Sequence, residues 1–262
     1  MLEIRDATPA DHSDYVRLFA ELGVDDRVAS LERFVAELMA RTIVATDDGR
    51  IVGYALCEVL AEVGYIRNIV SAPAHRRSGI GYALMQALRQ RFSSHGATAW
   101  CLNVKPDNAA AIGLYERCGM RTAYRSCALR VASSVPLPPV PAEVTLAPIP
   151  SHDDEAVERA FGLLRGQLAS TRARPSREVL PLWRGDERVG VGLFSPSIPG
   201  AFPFRVVEPA LGASFLALLR PRAPADAAYL QVGVEDDDAL RAALLALGGY
   251  VELEMLHLRG GL

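Results

Sequence analysis

The sequence predicts an α/β fold built twice over, each half a central mixed β-sheet flanked by helices, and three observations carry that expectation. Apolar runs of strand length alternate with stretches whose apolar residues recur at helical spacing. A loop bearing arginine and glycine, Arg76-Arg77-Ser78-Gly79-Ile80-Gly81, separates one such strand from one such helix. Beyond a proline-rich stretch, residues 228–250 run without gaps against residues 98–120, at an offset of 130.

In the first half, Leu2 to Ala7 is predicted as a strand, and Thr8-Pro9-Ala10-Asp11 as a turn starting a helix that runs to about Leu22. Asp25 and Asp26 precede a second helix with Val28, Leu31, Phe34, Val35 and Leu38 on one face. Thr42 to Thr46 and Ile51 to Leu60 form a hairpin around Asp47-Asp48-Gly49. Tyr65 to Ser71 is a strand leading into the glycine loop and a helix to about Ser94. Ala97 to Val104 is nearly all apolar, as a strand covered on both faces should be. Asn108 to Cys118 is a helix closed by Gly119, and Thr122 to Arg130 a last strand.

Composition narrows the function. With 262 residues, half of them hydrophobic, the chain can bury a sizeable core in one large or two medium domains. Residues 1–130 hold 16 basic against 15 acidic side chains and the rest 12 against 16, which together give the net charge of −3. Neither half has the basic excess of a nucleic-acid binder. Cys57, Cys101, Cys118 and Cys127 sit singly in apolar patterns, which fits reduced buried thiols in a cytoplasmic protein. No run approaches a membrane span, and no cluster suggests a metal site.

The glycine loop is where a ligand is expected. Glycines at 79 and 81 let backbone approach closely, and the first N–H groups of the next helix are unpaired donors at its positive dipole end. Arg76 and Arg77 add charge suited to a pyrophosphate. No Gly-Lys-Ser/Thr follows, and position 84 of a three-glycine dinucleotide fingerprint is Leu84, so both of those readings fail. The remaining pattern, R-x-x-G-x-G, resembles the acyl-CoA pyrophosphate loop of the GNAT superfamily of N-acetyltransferases. Asn108 to Met120 likewise resembles that family's helix N-x-x-A-x-x-x-Y-x-x-x-G followed by Phe or Met, with Asn108, Ala111 and Tyr115 on one face. The element order of residues 2–130 also resembles the GNAT fold.

The resemblance implies acetyl-CoA as co-substrate. Its pantetheine would pair with the backbone of Ile69, Val70 and Ser71, and its pyrophosphate would rest on Arg76, Arg77, Ser78, Gly79, Ile80, Gly81 and Tyr82. Asn108 would contact the pantetheine arm, and Tyr115 would protonate the departing thiolate. The family's glutamate on the strand before the loop is Arg67 here, which cannot act as a base. Glu58 and Glu62 are candidates in its place, and Asn68, His75 and His95 are polar groups nearby in sequence.

The expected domains are 1–132, a proline-rich linker 133–150, and 151–262, whose first strand begins near 142. The second half resembles a degenerate GNAT domain. Val207 to Gly212 replaces Val70 to Gly81 without the arginines, and Asp238 and Leu245 stand for Asn108 and Tyr115. The implied function is acetyl transfer to a primary amine of a small molecule or peptide, with a non-catalytic acyl-CoA sensor as the alternative. Either a monomer with two halves about a pseudo-two-fold axis or a homodimer would satisfy the repeat.

Overall fold

The computed structural model describes residues 2–23 and 28–262, and Asp25 and Asp26 lie outside the described residues. It divides into two compact units, Met1–Ala123 with His257–Leu262, and Tyr124–Leu256.

The sheet of the first unit runs β1 (Leu2–Asp6), β2 (Thr42–Asp47), β3 (Arg50–Leu60), β4 (Val63–Ser71), β5 (Ala99–Val104), and then the end of β12 (Tyr250–Gly261). Its helices are α1 (His12–Phe19), α2 (Leu31–Arg33, prolonged by irregular helical turns to Arg41), α3 (Ile80–Ser94) and α4 (Ala109–Arg117). The hairpin turn falls where Asp-Gly predicted it: Asp48 and Gly49 have φ of 48° and 77°, the left-handed pair that matches the twist of adjoining strands. Tyr15, Leu18, Phe34, Val44, Tyr54 and Val70 form a core. Ile80, Leu84, Met85, Leu88 and Phe92 bury one stripe of α3 at helical spacing. Gly64 is required there, since a Cβ would lie 2.3 Å from the Phe92 ring.

Two irregularities of β4 prepare the site. Against β3, Leu56 faces Asn68 and Cys57 faces Ile66, so Arg67 is an extra, bulged residue. Against β5 the pairing is parallel from Val63↔Ala99 to Ile66↔Leu102 and stops there, although both strands continue. Beyond Ile66, one edge of β4 is open.

The second unit holds β6 (Arg121–Ala132) from Tyr124 on, β7 (Val144–Leu146), β8 (Glu178–Arg184), β9 (Glu187–Ser195), β10 (Gly200–Val206), β11 (Tyr229–Glu235) and the first part of β12. Their spatial order is β12-β6-β11-β10-β9-β8-β7. With α5 (Asp154–Ala160), α6 (Gln167–Arg172), α7 (Leu211–Leu219) and α8 (Asp238–Ala246), the unit repeats the element order of residues 2–132. Leu129, Leu182, Phe204, Phe215, Leu230 and Leu244 lie in its core.

The unit boundaries differ from those expected at 132 and 151. β6 ends the first repeat in sequence but pairs with β11 from Ser126↔Glu235 to Ala132↔Tyr229, while the last residues of β12 belong to the first unit. A strand joins the sheet whose backbone groups it satisfies, whatever its place in the chain. The proline-rich stretch therefore lies within the second unit, including β7 at 144–146.

Candidate active site

β4 ends at Ser71, a single 3-10 turn spans Pro73–His75, and α3 begins at Ile80. Gly79 caps α3 with φ of 90°, a conformation that penalises any Cβ, and Arg77 also has a left-handed φ of 64°. The first amide in this turn to bond back into the helix is that of Ala83, to Gly79 O at 2.9 Å. The N–H groups of Ile80, Gly81 and Tyr82 stay outside the helical ladder, at the positive end of the helix dipole. Arg76, Arg77, Ser78 and Gly79 are exposed. The Ser78 hydroxyl donates to His75 O at 2.6 Å, and Arg76 is paired with Glu21 at 2.7 Å.

Gly81 has a different reason to be glycine. A Cβ there would stand 3.0 Å from Leu114 on α4, so its absence lets α4 pack against the start of α3. That contact places the sequence-predicted helix beside the loop. Asn108 caps α4, its Oδ1 accepting from Ala111 N at 3.2 Å, and its side-chain N–H groups remain to donate. Tyr115 is 5% exposed, and burial pushes its phenol pKa upward, with Cys118 adding to the effect. Ile69, Val70 and Ser71 lie on the stretch of β4 that pairs with β3 on one side and has left β5 on the other.

The carboxylates proposed as bases are not both at this place. Glu62 lies exposed in the β3–β4 turn, its carbonyl accepting from Thr98 and Ala99 N–H, at the closed end of the β4–β5 wedge. Glu58 is buried and accepts from Arg67 Nη2 at 3.0 Å, with Arg41 Nη1 3.9 Å away. His95 Nδ1–H donates to Arg91 O at 2.8 Å, at the far end of α3.

Sequence reading missed a second polar group at the wedge. Arg67 lies with its guanidinium 4.1 Å from the centroid of the Tyr65 ring. The Tyr65 hydroxyl accepts from Asn103 Nδ2 at 2.8 Å, and Asn103 Oδ1 meets His257 Nδ1 at 2.9 Å. Burial, then the charge of Arg259, holds the His257 pKa down to about 4, so the ring is neutral at ordinary pH. Alternation along β4 and β5 brings Tyr65 and Asn103 to one face, but only the course of β12 brings His257 to them.

The second unit differs at each corresponding point. Glu208, in the segment replacing the phosphate loop, is engaged with Arg184 at 3.0 Å. A cavity of about 240 Å³ between the end of β11 and the start of α8 is lined by Asp236, Asp237, Asp238 and Glu254 together with Arg125 and Arg241.

Comparison with known proteins finds relatives of the first half of the chain. The Acetyltransferase (GNAT) family model matches residues 8–120. The chain is 33% identical over 78 residues to the ribosomal protein bS18 alanine N-acetyltransferase of Escherichia coli, covering 30% of this chain and 53% of that protein. It is 34% identical over 83 residues to the L-2,4-diaminobutyric acid acetyltransferase of Nocardia farcinica, covering 30% and 43% respectively. The chain thus spans about half the length of the curated relatives it matches. A solved tandem GNAT protein from the clavulanic acid biosynthesis pathway aligns with 100% of this chain and 98% of its own, at a TM-score of 0.66 and 16% identity, a likeness of fold. Residues 8–120, which hold the glycine turn, the parted strands and the tyrosine helix, are thus similar to the acetyltransferase (GNAT) family.

Proposed function

We propose that this protein is an N-acetyltransferase that moves the acetyl group of acetyl-CoA directly to a primary amine, using the first unit only. The observation that carries the proposal is the juxtaposition at the end of β4: an open strand edge past Ile66, then the Arg76–Gly79 turn, then the unpaired amides of Ile80 to Tyr82. Pantetheine fits the edge at Ile69, Val70 and Ser71, and pyrophosphate fits the turn and helix start. Arg77 reaches the phosphates unpaired among the described residues, whereas Arg76 must first leave Glu21.

Acyl transfer needs the amine to lose a proton, the carbonyl oxygen to carry charge transiently, and the thiolate to be stabilised as it leaves. Tyr115, held protonated by burial, donates to the sulfur, and Asn108 donates to the pantetheine arm. Glu62 has no part in this scheme, and Glu58 serves to hold Arg67. The acceptor class is an amine of a peptide or small molecule, as the names of the two relatives indicate for those proteins. The second unit is a degenerate copy without a cofactor site, supported by Glu208, Asp238 and Leu245 at the three key places.

A sensor reading, in which acetyl-CoA binds without turnover, is favoured by one observation: Arg67 stands where a base is expected. Thiol release from acetyl-CoA with an alanine-initial peptide or L-2,4-diaminobutyrate separates the two. Amine-dependent release supports the enzyme, and tight binding with no release for any amine offered supports the sensor.

A further inference from the structure

A segment from elsewhere in the chain bridges the open end of the wedge. Beyond Ile66 and Leu102 the two strands no longer pair, and they continue separately, β4 towards the Arg76 turn and β5 through Val104 to Lys105. Arg76 Nη2 donates to Glu21 Oε2 at 2.7 Å, and Lys105 Nζ donates to Gly23 O at 3.0 Å. Residues 21–23 are therefore tied to both rims. They lie in the 3-10 turn Ala20–Leu22 that follows α1 and in its cap, Gly23, whose φ is 59°. Leu22, between the two tied residues, packs against the core of Tyr15, Leu18 and Phe34.

The two ties differ in what a ligand does to them. Arg76 belongs to the turn suited to a pyrophosphate, so Glu21 and the pyrophosphate compete for one guanidinium. Lys105 lies outside that turn and bonds a backbone carbonyl. The Glu21–Arg76 pair is on the surface, with side chains 34% and 53% exposed, and such a pair is held weakly. A pyrophosphate carries more charge and more acceptor oxygens than one carboxylate, so it wins the guanidinium. The second unit lacks both cations: Val207 to Gly212 has no arginine, and Glu235, at the place of Lys105 by the offset of 130, is engaged by Arg205 at 2.7 Å. The two ties are present with the phosphate turn in one unit and absent with it from the other.

We propose that Glu21 is a latch on Arg76 that acetyl-CoA opens. In the free protein it holds residues 21–23 to the phosphate turn; the pyrophosphate takes its place, leaving Lys105 and the packing of Leu22 to hold the segment. The proposal rests on the acetyl-CoA reading above. The latch acts in two directions at once. It lowers the affinity for acetyl-CoA by the cost of breaking the pair, and, because linked equilibria are reciprocal, bound acetyl-CoA loosens the segment by up to the same factor.

Calorimetric titration of the full chain with acetyl-CoA tests the first direction. Glu21→Gln keeps the size of an exposed side chain and removes its charge, and should tighten binding about two- to fivefold, as an exposed ion pair allows. Arg76→Gln should weaken binding, and adding Glu21→Gln to Arg76→Gln should gain nothing, since the latch has lost its partner. Hydrogen exchange at the Gly23 N–H, which bonds Ala20 O at 3.3 Å, tests the second direction. Acetyl-CoA should speed that exchange in wild type, and Glu21→Gln should show the faster rate with or without acetyl-CoA. Equal tightening by Glu21→Gln with and without Arg76 would reduce Glu21 to a distant charge and overturn the latch. An affinity that Glu21→Gln leaves unchanged, or a Gly23 exchange that acetyl-CoA leaves alone or slows, would overturn it too, with acetyl transfer untouched. A wild-type protein that binds no acetyl-CoA would overturn the transfer reading itself, and the latch with it.

Discussion

At the scale of single residues, Tyr115 has a burial that suits its proposed chemistry. A phenol kept protonated by its surroundings holds its proton until a thiolate forms beside it. Tyr115→Phe keeps the ring that fills the core and removes the donor, so acetyl-CoA affinity should persist while kcat falls ~10²- to 10⁴-fold in a thiol-release assay. Asp11 gives a test of stability. It accepts from Arg5 at 2.7 Å and 2.9 Å and from the Thr8 backbone and hydroxyl, and these bonds, led by Arg5, hold its pKa down to about 2. A carboxylate depressed on folding contributes stability above its unfolded pKa and loses it as pH falls through its folded one. Asp11→Asn should therefore cost about 2 kcal/mol in denaturant unfolding at pH 7, with the gap to wild type narrowing between about pH 4 and 2. The helix that carries Asn108 and Tyr115 and the turn at Gly79 were legible because their spacing is local. Asn103 and His257 were not, because 154 positions of sequence separate partners that share a hydrogen bond.

At the scale of elements, the boundaries followed local rules closely. The Asp-Gly hairpin, the Asn108 cap and the Gly119 stop, with φ of 87°, each lie where backbone chemistry put them. The β4 bulge at Arg67 was not legible, since nothing in a continuous apolar strand marks which residue is left unpaired. The two loop glycines, alike in sequence, separate on inspection. Gly79 has open space around its missing Cβ but a left-handed φ, while Gly81 is ordinary in conformation and lies against Leu114. Gly79→Val should distort the turn and weaken acetyl-CoA binding in a titration with little change in Tm. Gly81→Val should push α4 from α3, lower Tm, and reduce transfer through the displaced Tyr115. Equal effects of the two changes on Tm would mean that the α3–α4 contact is not set by this residue.

At the scale of the whole molecule, the duplicated element order was legible from the offset of 130 between residues 98–120 and 228–250, because hydrophobic spacing survives when site residues do not. Which sheet each terminal strand joins was not, since residues 121–132 and 250–261 read equally well as the last strand of either half. The structure gives the end of β12 to the first unit, where Leu262 N–H bonds Thr98 O at 3.0 Å and Gly260 approaches so near Gly119 O that a Cβ would lie 2.8 Å from it. Residues 1–135 expressed alone lack that strand, and should be inactive and either unfolded or self-associated by sedimentation. A monomeric, fully active fragment would show that the strand is dispensable. No helix among the described residues is long and apolar enough to cross a membrane. The central claim is that the phosphate loop of the first unit alone makes the chain an acetyl-CoA protein. Its most direct test is calorimetric titration of the full chain with acetyl-CoA: the account predicts one molecule bound per chain and none after Gly79→Val, whereas two equivalent sites, or binding that ignores that substitution, would contradict it.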